Sequence, residues 1–505
     1  MNMPRSENAV SSSEVTAAPP RKVDLLLVQP AMGGFENSRG WLIEPTGLLY
    51  LSRLAVQRYR VVILDERVEG DGFYAKLDTL LAERPLLLGL TSSSGQQLKH
   101  ALAVARHAKQ VSRVPVVFGG PFASQVPATF LAEPSIDYVV MGEGELVVAQ
   151  MLDALTEGRP VEGIAGVSYR TPDDVRVSRS QKFQRLDELP EVPFHLLKSP
   201  RYYSMGWGRR TVQVETSRGC PEKCHYCYIP VVHQSVWRSM SPARAIELVK
   251  QSLQDTGVNR VYFTDDNFFL HMGRARQIVE GLKPLNISWG VQGVCLGDVL
   301  KMDHEMLQLL HDSGCQGLHI GIQTASKRLH QQMETGAELD DVPKVNAILA
   351  RYRIPVWYYF MCGFPTETLD ELKASCELAT RLVAEHPLAV TSGFYLATPY
   401  PNTALSEAAE PYGGVKKRSL DDWAAVVWNK ASQPWLDDER RRVVEAVHFL
   451  SLFHDKKSEY YVSTPLVRLF GRLYRPIARY RLRTLDLRFF FFERLLWSFA
   501  SRRMF

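Results

Sequence analysis

The sequence predicts an α/β protein with three parts: a doubly wound sheet domain, a partial (β/α)6 barrel, and a mainly helical carboxyl-terminal region. Three observations predict this. Between residues 23 and 145, short apolar runs each end in a loop rich in glycine, serine or proline. From Thr211 to about residue 405, six further runs alternate with helical patterns. The last hundred residues carry helical segments with arginine and aromatic content.

In the first part, Val23–Val28 reads as a buried parallel strand that ends at Gln29-Pro30. Val61–Leu64 precedes Asp65, and Leu86–Leu90 precedes Thr91-Ser92-Ser93-Ser94-Gly95. Val116–Phe118 precedes Gly119-Gly120-Pro121, and Asp137–Met141 precedes Gly142-Glu143-Gly144-Glu145. Helical patterns lie between them, as at Gln97–Gln110 and Leu146–Leu155. The glycines and serines all follow strands, at the carboxyl edge where open α/β sheets bind ligands.

Residues 159–200 read as a connector with a small hairpin and several prolines. The second series has strand candidates at Val212–Glu215, Val261–Thr264, Ser288–Val294, Gly317–Gly321, Val356–Met361 and Ser392–Leu396. Pro242–Gln254, His304–Ser313 and Leu369–Ala384 read as helices between them. The expected division is a loose tail over 1–20, a sheet domain over 21–158, the connector, a barrel over 201–405 and a helical region over 406–505.

With 505 residues, two or three domains are expected. The chain is 45% apolar and 23% charged, a globular composition. Its net charge of +5 argues against a nucleic-acid binder. From Tyr461 to Phe505 there are ten arginines, no lysine and two acids, so this tail carries +8 and the rest of the chain −3. Arginine mixed with Leu, Phe, Tyr and Trp suits an anionic membrane surface. It equally suits a helical subdomain packed on the barrel. Gly471 and Pro476 are expected to interrupt a single long amphipathic helix, which favours packing. No apolar stretch is long enough to predict a spanning helix, and the amino-terminal twenty residues have no signal-peptide pattern.

The seven cysteines are odd in number, and three fall within eight residues. That pattern points to a reducing cytosol and a metal site rather than a disulfide framework. Cys220-Pro-Glu-Lys-Cys224-His-Tyr-Cys227 has the spacing C-x3-C-x2-C and follows a strand. Three thiolates on one tight loop can hold three irons of a cubane and leave the fourth open. The plainer alternative is zinc with His225 or His233 as fourth ligand. Cys295, Cys315 and Cys376 read as core residues, and Cys362 as a buried structural thiol. Asp265 and Asp266 close the second barrel strand, and adjacency points them to opposite faces. One is expected to act as an acid, base or substrate ligand, and the other to cap a helix or line the barrel mouth.

The cysteine spacing resembles the signature of the radical S-adenosylmethionine (radical SAM) superfamily. Further stretches extend the likeness. They are Tyr226 before the last cysteine, Val261–Phe268, Gly314–Gln323, Phe360–Thr368 and Thr398–Thr403. The segments Gly89–Ser94, Val117–Pro121 and Asp137–Glu145 resemble the cobalamin-binding, Rossmann-like domain that precedes the barrel in the B12-binding subclass.

The resemblance implies a [4Fe-4S] cluster on Cys220, Cys224 and Cys227, whose open iron chelates S-adenosylmethionine. It also implies cobalamin as a second cofactor and an external one-electron reductant such as flavodoxin or ferredoxin. Tyr226, Gly321, Gln323 and Gly363 would line the S-adenosylmethionine site. Ser92, Ser93, Gly119, Gly120, Gly142, Glu143 and Gly144 would line the cobalamin site. This subgroup commonly has Glu where Gln323 stands; glutamine keeps the acceptor oxygen and loses the charge. The D-x-H-x-x-G segment that supplies a cobalt ligand elsewhere is absent.

The activity implied is methylation of an unactivated carbon of a small-molecule or lipid-like substrate through a 5′-deoxyadenosyl radical and methylcobalamin. The alternatives are cyclisation or rearrangement with the same cofactors, and a non-catalytic iron–sulfur scaffold. A sheet domain that binds nothing is the alternative for residues 21–158.

Overall fold

The structure is a computed structural model that describes residues 22–32, 42–178, 183–202, 204–205, 209–334, 338–414, 419–426, 431–457, 465–493 and 495. The tail expected over residues 1–20 lies outside them.

The amino-terminal sheet has seven strands in the order β2-β1-β3-β4-β5-β6-β7. They are β1 (Leu25–Gln29), β2 (Val61–Asp65), β3 (Leu87–Thr91), β4 (Val116–Gly119), β5 (Tyr138–Val140), β6 (Val167–Arg170) and β7 (Val175–Arg176). The first five run parallel; β6 and β7 are antiparallel. Helices α1 (Thr46–Ala55), α2 (Phe73–Ala82), α3 (Gln96–Val111) and α4 (Glu145–Thr156) cover its two faces.

Side chains alternate across a strand, and both faces of β1 are apolar. Leu25 and Leu27 pack with Leu48, Val148 and Leu152, while Leu26 and Val28 pack with Phe73, Leu77 and Leu98. Burying each such side chain contributes roughly 1.5–3 kcal/mol. That two-sided demand turns the run into a central strand. The hairpin expected within the connector is β6–β7. It pairs with β5, so the sheet domain extends past residue 158.

The second sheet has six strands in chain order. They are β8 (Val212–Val214), β9 (Arg260–Phe263), β10 (Ser288–Val294), β11 (Cys315–Gln323), β12 (Val356–Cys362) and β13 (Ala389–Leu396). All neighbours are parallel, which is the partial (β/α)6 barrel. The outer helices include α5 (Pro242–Thr256), α6 (Met272–Leu282), α7 (His304–Asp312), α8 (Val342–Arg351) and α9 (Leu369–Glu385). Their starts are capped as the sequence dictates. Ser241 and Asp303 accept from backbone N–H groups one turn on, and Thr368 forms a capping box with Glu371. Each cap contributes about 1 kcal/mol.

The carboxyl-terminal region closes the barrel edge. Helix α10 (Asp438–Ser451) packs on β13, and α11 (Pro465–Thr484) packs on α9 and α10. The expected interruption at Gly471 and Pro476 does not occur; α11 runs through both. Tyr474, Ala478 and Leu482 are buried in the barrel core cluster and hold the helix together. Pro476 lies on the exposed side, where water can satisfy the carbonyl its missing N–H leaves free.

The sheet domain docks on the barrel through buried polar contacts. Arg53 donates to the Pro190 and Leu189 carbonyls. The Tyr50 hydroxyl accepts from the Glu215 N–H at 2.7 Å. Arg218 donates to Glu145 at 2.7 Å and to Glu215, and lies 3.5 Å from Glu143. Arg238 also pairs with Glu143 and stacks 4.1 Å above the Phe183 ring.

Candidate cluster and cofactor site

The cysteine loop leaves the carboxyl end of β8 and is held in place by the residues after β9. Asp265 has no exposed surface. It accepts from the Thr216 N–H at 2.8 Å, the Thr216 hydroxyl at 2.7 Å and the Ser217 hydroxyl at 2.5 Å. Arg274 from α6 grips the Thr216 carbonyl at 2.8 Å on the other side. Asp266 accepts from the Gly219 N–H at 2.7 Å. Gly219 adopts a φ of +83°, and a Cβ there would stand 2.1 Å from the Val236 carbonyl oxygen. Only glycine fits.

Whatever role it has in catalysis, Asp265 supports the loop, and its carboxylate accepts three hydrogen bonds within it. Asp266 holds the same loop one residue before Cys220, and burial pushes its carboxyl up to about 7.

Cys220, Cys224 and Cys227 are half-buried. Burial pushes the Cys224 thiol up to about 11 and the Cys227 thiol up to about 12. The Asn267 amide donates to Cys220 Sγ at 3.7 Å and to Cys295 Sγ at 3.5 Å. Three thiols on one loop with an N–H aimed at sulfur are a donor set that fits an iron–sulfur cluster, where hydrogen bonds to sulfur tune the potential.

The zinc alternative is not supported. His225 faces Glu334 at 3.5 Å, and His233 lies 3.9 Å from both Glu143 and Asp266. Burial pushes His233 down to about 4. Cys315, Cys362 and Cys376 are buried as expected. Cys295 is not a core residue; it follows β10 and joins Cys220 through Asn267. Nothing in its spacing announced that.

The residues expected around S-adenosylmethionine divide. Tyr226, Gly321 and Gln323 come together. The Gln323 amide donates to the Tyr226 hydroxyl at 2.9 Å. A Cβ on Gly321 would stand 2.3 Å from Gln323 Nε2, so glycine makes room for that amide. Gln323 itself has a φ of +65°. It lies where the register between β11 and β12 shifts. Gly363 departs from its expected backbone approach. Its N–H donates to Glu367 at 2.6 Å and its carbonyl accepts from Trp435 at 2.9 Å.

In the sheet domain, Ser92, Gly119, Gly120 and Gly142 line the carboxyl edge. The Ser92 hydroxyl is buried without a hydrogen-bond partner. An orphaned buried hydroxyl at that edge fits a polar ligand. Ser93 instead bonds Gln97, and the Gly142 N–H donates to Ser124 at 2.9 Å. Glu143 and Gly144 make other contacts. Glu143 is consumed by Arg218 and Arg238, and Gly144 packs against α1, where a Cβ would meet Leu51 at 2.6 Å.

Sequence reasoning missed the space between the domains. A cavity of about 480 Å³ is lined by Gln29, Thr91 and Gln97 of the sheet edge and by Gln213, Gln292 and Tyr359 of the barrel interior. His319, also on its wall, lies 3.0 Å from the Tyr262 hydroxyl and 2.7 Å from the Tyr359 hydroxyl. Burial pushes His319 down to about 3, so it is neutral. Facing carboxyl edges and a polar, aromatic wall suit a large flat cofactor.

A B12-type sheet domain on a six-stranded barrel, with three cysteines at the barrel mouth, defines a class of protein that pairs cobalamin with an iron–sulfur cluster. Comparison with known proteins agrees. The radical SAM superfamily model matches residues 214–379, and the B12 binding domain model matches residues 37–152. An uncharacterized methyltransferase, PH0819, of Pyrococcus horikoshii is 30% identical over 76% of this chain and 82% of that protein. The hopanoid C-3 methylase of Methylococcus capsulatus is 27% identical over 56% of this chain and 53% of that protein. The fold superposes on the radical S-adenosylmethionine methyltransferase TsrM of Kitasatospora setae, solved with cobalamin and a [4Fe-4S] cluster. That match has a TM-score of 0.68 at 19% identity and covers 91% of this chain and 98% of that one. The chain belongs to the B12-binding branch of the radical SAM superfamily. It is an enzyme whose cofactors are a [4Fe-4S] cluster, S-adenosylmethionine and cobalamin.

Proposed function

We propose that this enzyme methylates an unactivated carbon of a small, lipid-like molecule. The observation that carries the reading is the 480 Å³ cavity, in which the sheet edge and the barrel interior face one another. When bound, the cluster and S-adenosylmethionine supply a hydrogen-abstracting radical, and cobalamin supplies the methyl group.

The chain's own residues orient these groups and exclude water. Cys220, Cys224 and Cys227 hold the cluster, and Asn267 directs an N–H at Cys220. Asp265, Asp266 and Arg274 fix the loop that carries the cysteines. Tyr226, Gln323 and Gly321 stand together in the barrel, and Ser92, Gly119, Gly120 and Gly142 follow the strands of the sheet domain. Neutral His319, set between two tyrosine hydroxyls, is poised to orient a polar group in the cavity. The half-buried cysteine loop leaves a route for an external one-electron reductant such as flavodoxin or ferredoxin. Two relatives support methyl transfer by their names, and the hopanoid enzyme supports a lipid-like substrate.

The test is product analysis of reconstituted enzyme turning over a candidate substrate. Both 5′-deoxyadenosine and S-adenosylhomocysteine are expected, since S-adenosylmethionine is spent once as oxidant and once as methyl source. Deoxyadenosine without matching S-adenosylhomocysteine would favour cyclisation or rearrangement.

Peripheral membrane contact belongs to the same reading. No helix among the described residues is long and apolar enough to cross a membrane. The outer face of α11 nevertheless presents Leu469, Leu473, Ile477 and Tyr480, with Leu473 69% exposed, and Phe489 beyond it is 71% exposed. Exposed Arg472 and Arg483 flank this row, which suits anionic headgroups. Flotation with vesicles of phosphatidylglycerol and phosphatidylcholine is expected to carry the native protein up. The Leu473→Glu/Ile477→Glu variant, whose changes face solvent, should stay behind at least about tenfold more. Equal partitioning of both removes the membrane contact.

A further inference from the structure

Three separate stretches of chain enclose a second cavity, of about 450 Å³. Val126 comes from the sheet domain, Leu396 and Pro401 from the end of β13 and the loop after it, and Trp423, Pro434 and Trp435 from the carboxyl-terminal region. The volume is in the range that takes a drug-sized molecule. One wall is the carboxyl end of β13, beside that of β12, the end of a barrel at which chemistry occurs. There Trp435 donates to the Gly363 carbonyl, and the Ala397 N–H donates to the Cys362 carbonyl at 2.8 Å.

One polar side chain in the wall breaks the usual pattern. Gln433 is buried, and its Nε2 donates to the Ala397 carbonyl at 3.1 Å. That bond decides which end of the amide is oxygen. Oε1 is buried and accepts no hydrogen bond. An orphaned buried acceptor is costly and rare in native folds. A ligand that brings a donor to it recovers that cost.

We propose that this cavity is a substrate-binding cleft for an apolar molecule carrying one hydrogen-bond donor, a hydroxyl or an N–H, which Gln433 Oε1 receives. The proposal rests on the function proposed above and names the substrate class: an apolar alcohol or amide rather than a plain hydrocarbon or an ion. Among the described residues the lining includes one acid, Glu410, and no cation, and its tryptophans and prolines match an apolar body.

Trp423 and Trp435 make occupancy readable without turnover, because a bromine atom nearby quenches tryptophan emission. The probes are 6-bromohexan-1-ol and 1-bromohexane, titrated into the cluster- and cobalamin-loaded protein. Both are expected to quench the native protein, and the Trp423→Phe/Trp435→Phe variant much less. Gln433→Met keeps the length of the side chain and removes the acceptor. It is expected to weaken the alcohol about tenfold and to leave the alkane within about twofold. Ser406→Phe, which places a ring in the cavity and leaves Gln433 unchanged, is expected to weaken both probes.

The proposal is overturned if Gln433→Met shifts both probes equally or neither. It is also overturned if the double tryptophan variant is quenched as strongly as the native protein. Deoxyadenosine and S-adenosylhomocysteine measured on the same preparations keep the two readings apart. Lost products with the alcohol effect intact sink only the proposed function; intact products without the alcohol effect sink only the cleft.

Discussion

Replacing any one of Cys220, Cys224 or Cys227 by alanine is expected to strip the cluster and to cut 5′-deoxyadenosine formation by more than about 100-fold. Changes to residues that merely orient metal ligands already cost 10–100-fold, and these three are the proposed ligands themselves. All three lie on one loop between Asp266, which holds Gly219, and the Met333 carbonyl, which accepts from the His225 N–H at 3.0 Å. Two remaining thiols cannot hold three irons in register. Iron content and visible absorbance after anaerobic reconstitution report the loss directly. His225→Ala and His233→Ala serve as controls and should keep full iron, because their rings face Glu334, Glu143 and Asp266. Iron lost from a histidine variant and retained in a cysteine variant would overturn the ligand assignment.

Arg218→Met is expected to lower stability by about 3–5 kcal/mol, the cost of leaving buried carboxylates without their partner. Arg218 is buried among Glu143, Glu145 and Glu215. Those carboxylates hold its guanidinium protonated far above the usual arginine range, against the burial that opposes it. Glu143 keeps Arg238 in the variant. Glu145 on α4 and Glu215 at the end of β8 lose their cation, so the strain falls on the seam between sheet domain and barrel. Chemical denaturation is expected to show an earlier transition, and limited proteolysis should cut between the domains. A transition unmoved from that of the native protein would show the cluster to be incidental.

Much of the fold was legible from period and punctuation. The run Val23–Val28 is apolar at every position, and a strand with no polar face must be covered on both sides; β1 is. Six runs alternating with capped helices gave the six parallel barrel strands in chain order. Local signals were less reliable where tertiary packing outweighed them. Pro476 has a strong local cost, yet Tyr474, Ala478 and Leu482 keep α11 whole by packing into the core. Glu143 and Gly144 carry the glycine-and-acid pattern of a ligand loop. They serve instead a cross-domain ion pair and a helix contact, and their partners Arg238 and Leu51 lie far along the chain.

The sequence by itself put the three proposed cluster ligands on one short loop, because C-x3-C-x2-C spacing is a local property. It determined the order of the two sheets for a similar reason, since periodicity is a local property. Only the tertiary structure decided what each site residue does. It turned Asp265 into a support for the loop and brought Cys295 to Cys220 through Asn267. It opened a cavity between domains lined by Gln29 and His319. Those roles depend on which residues, tens to hundreds of positions apart, come within hydrogen-bond reach, and no spacing along one strand encodes that.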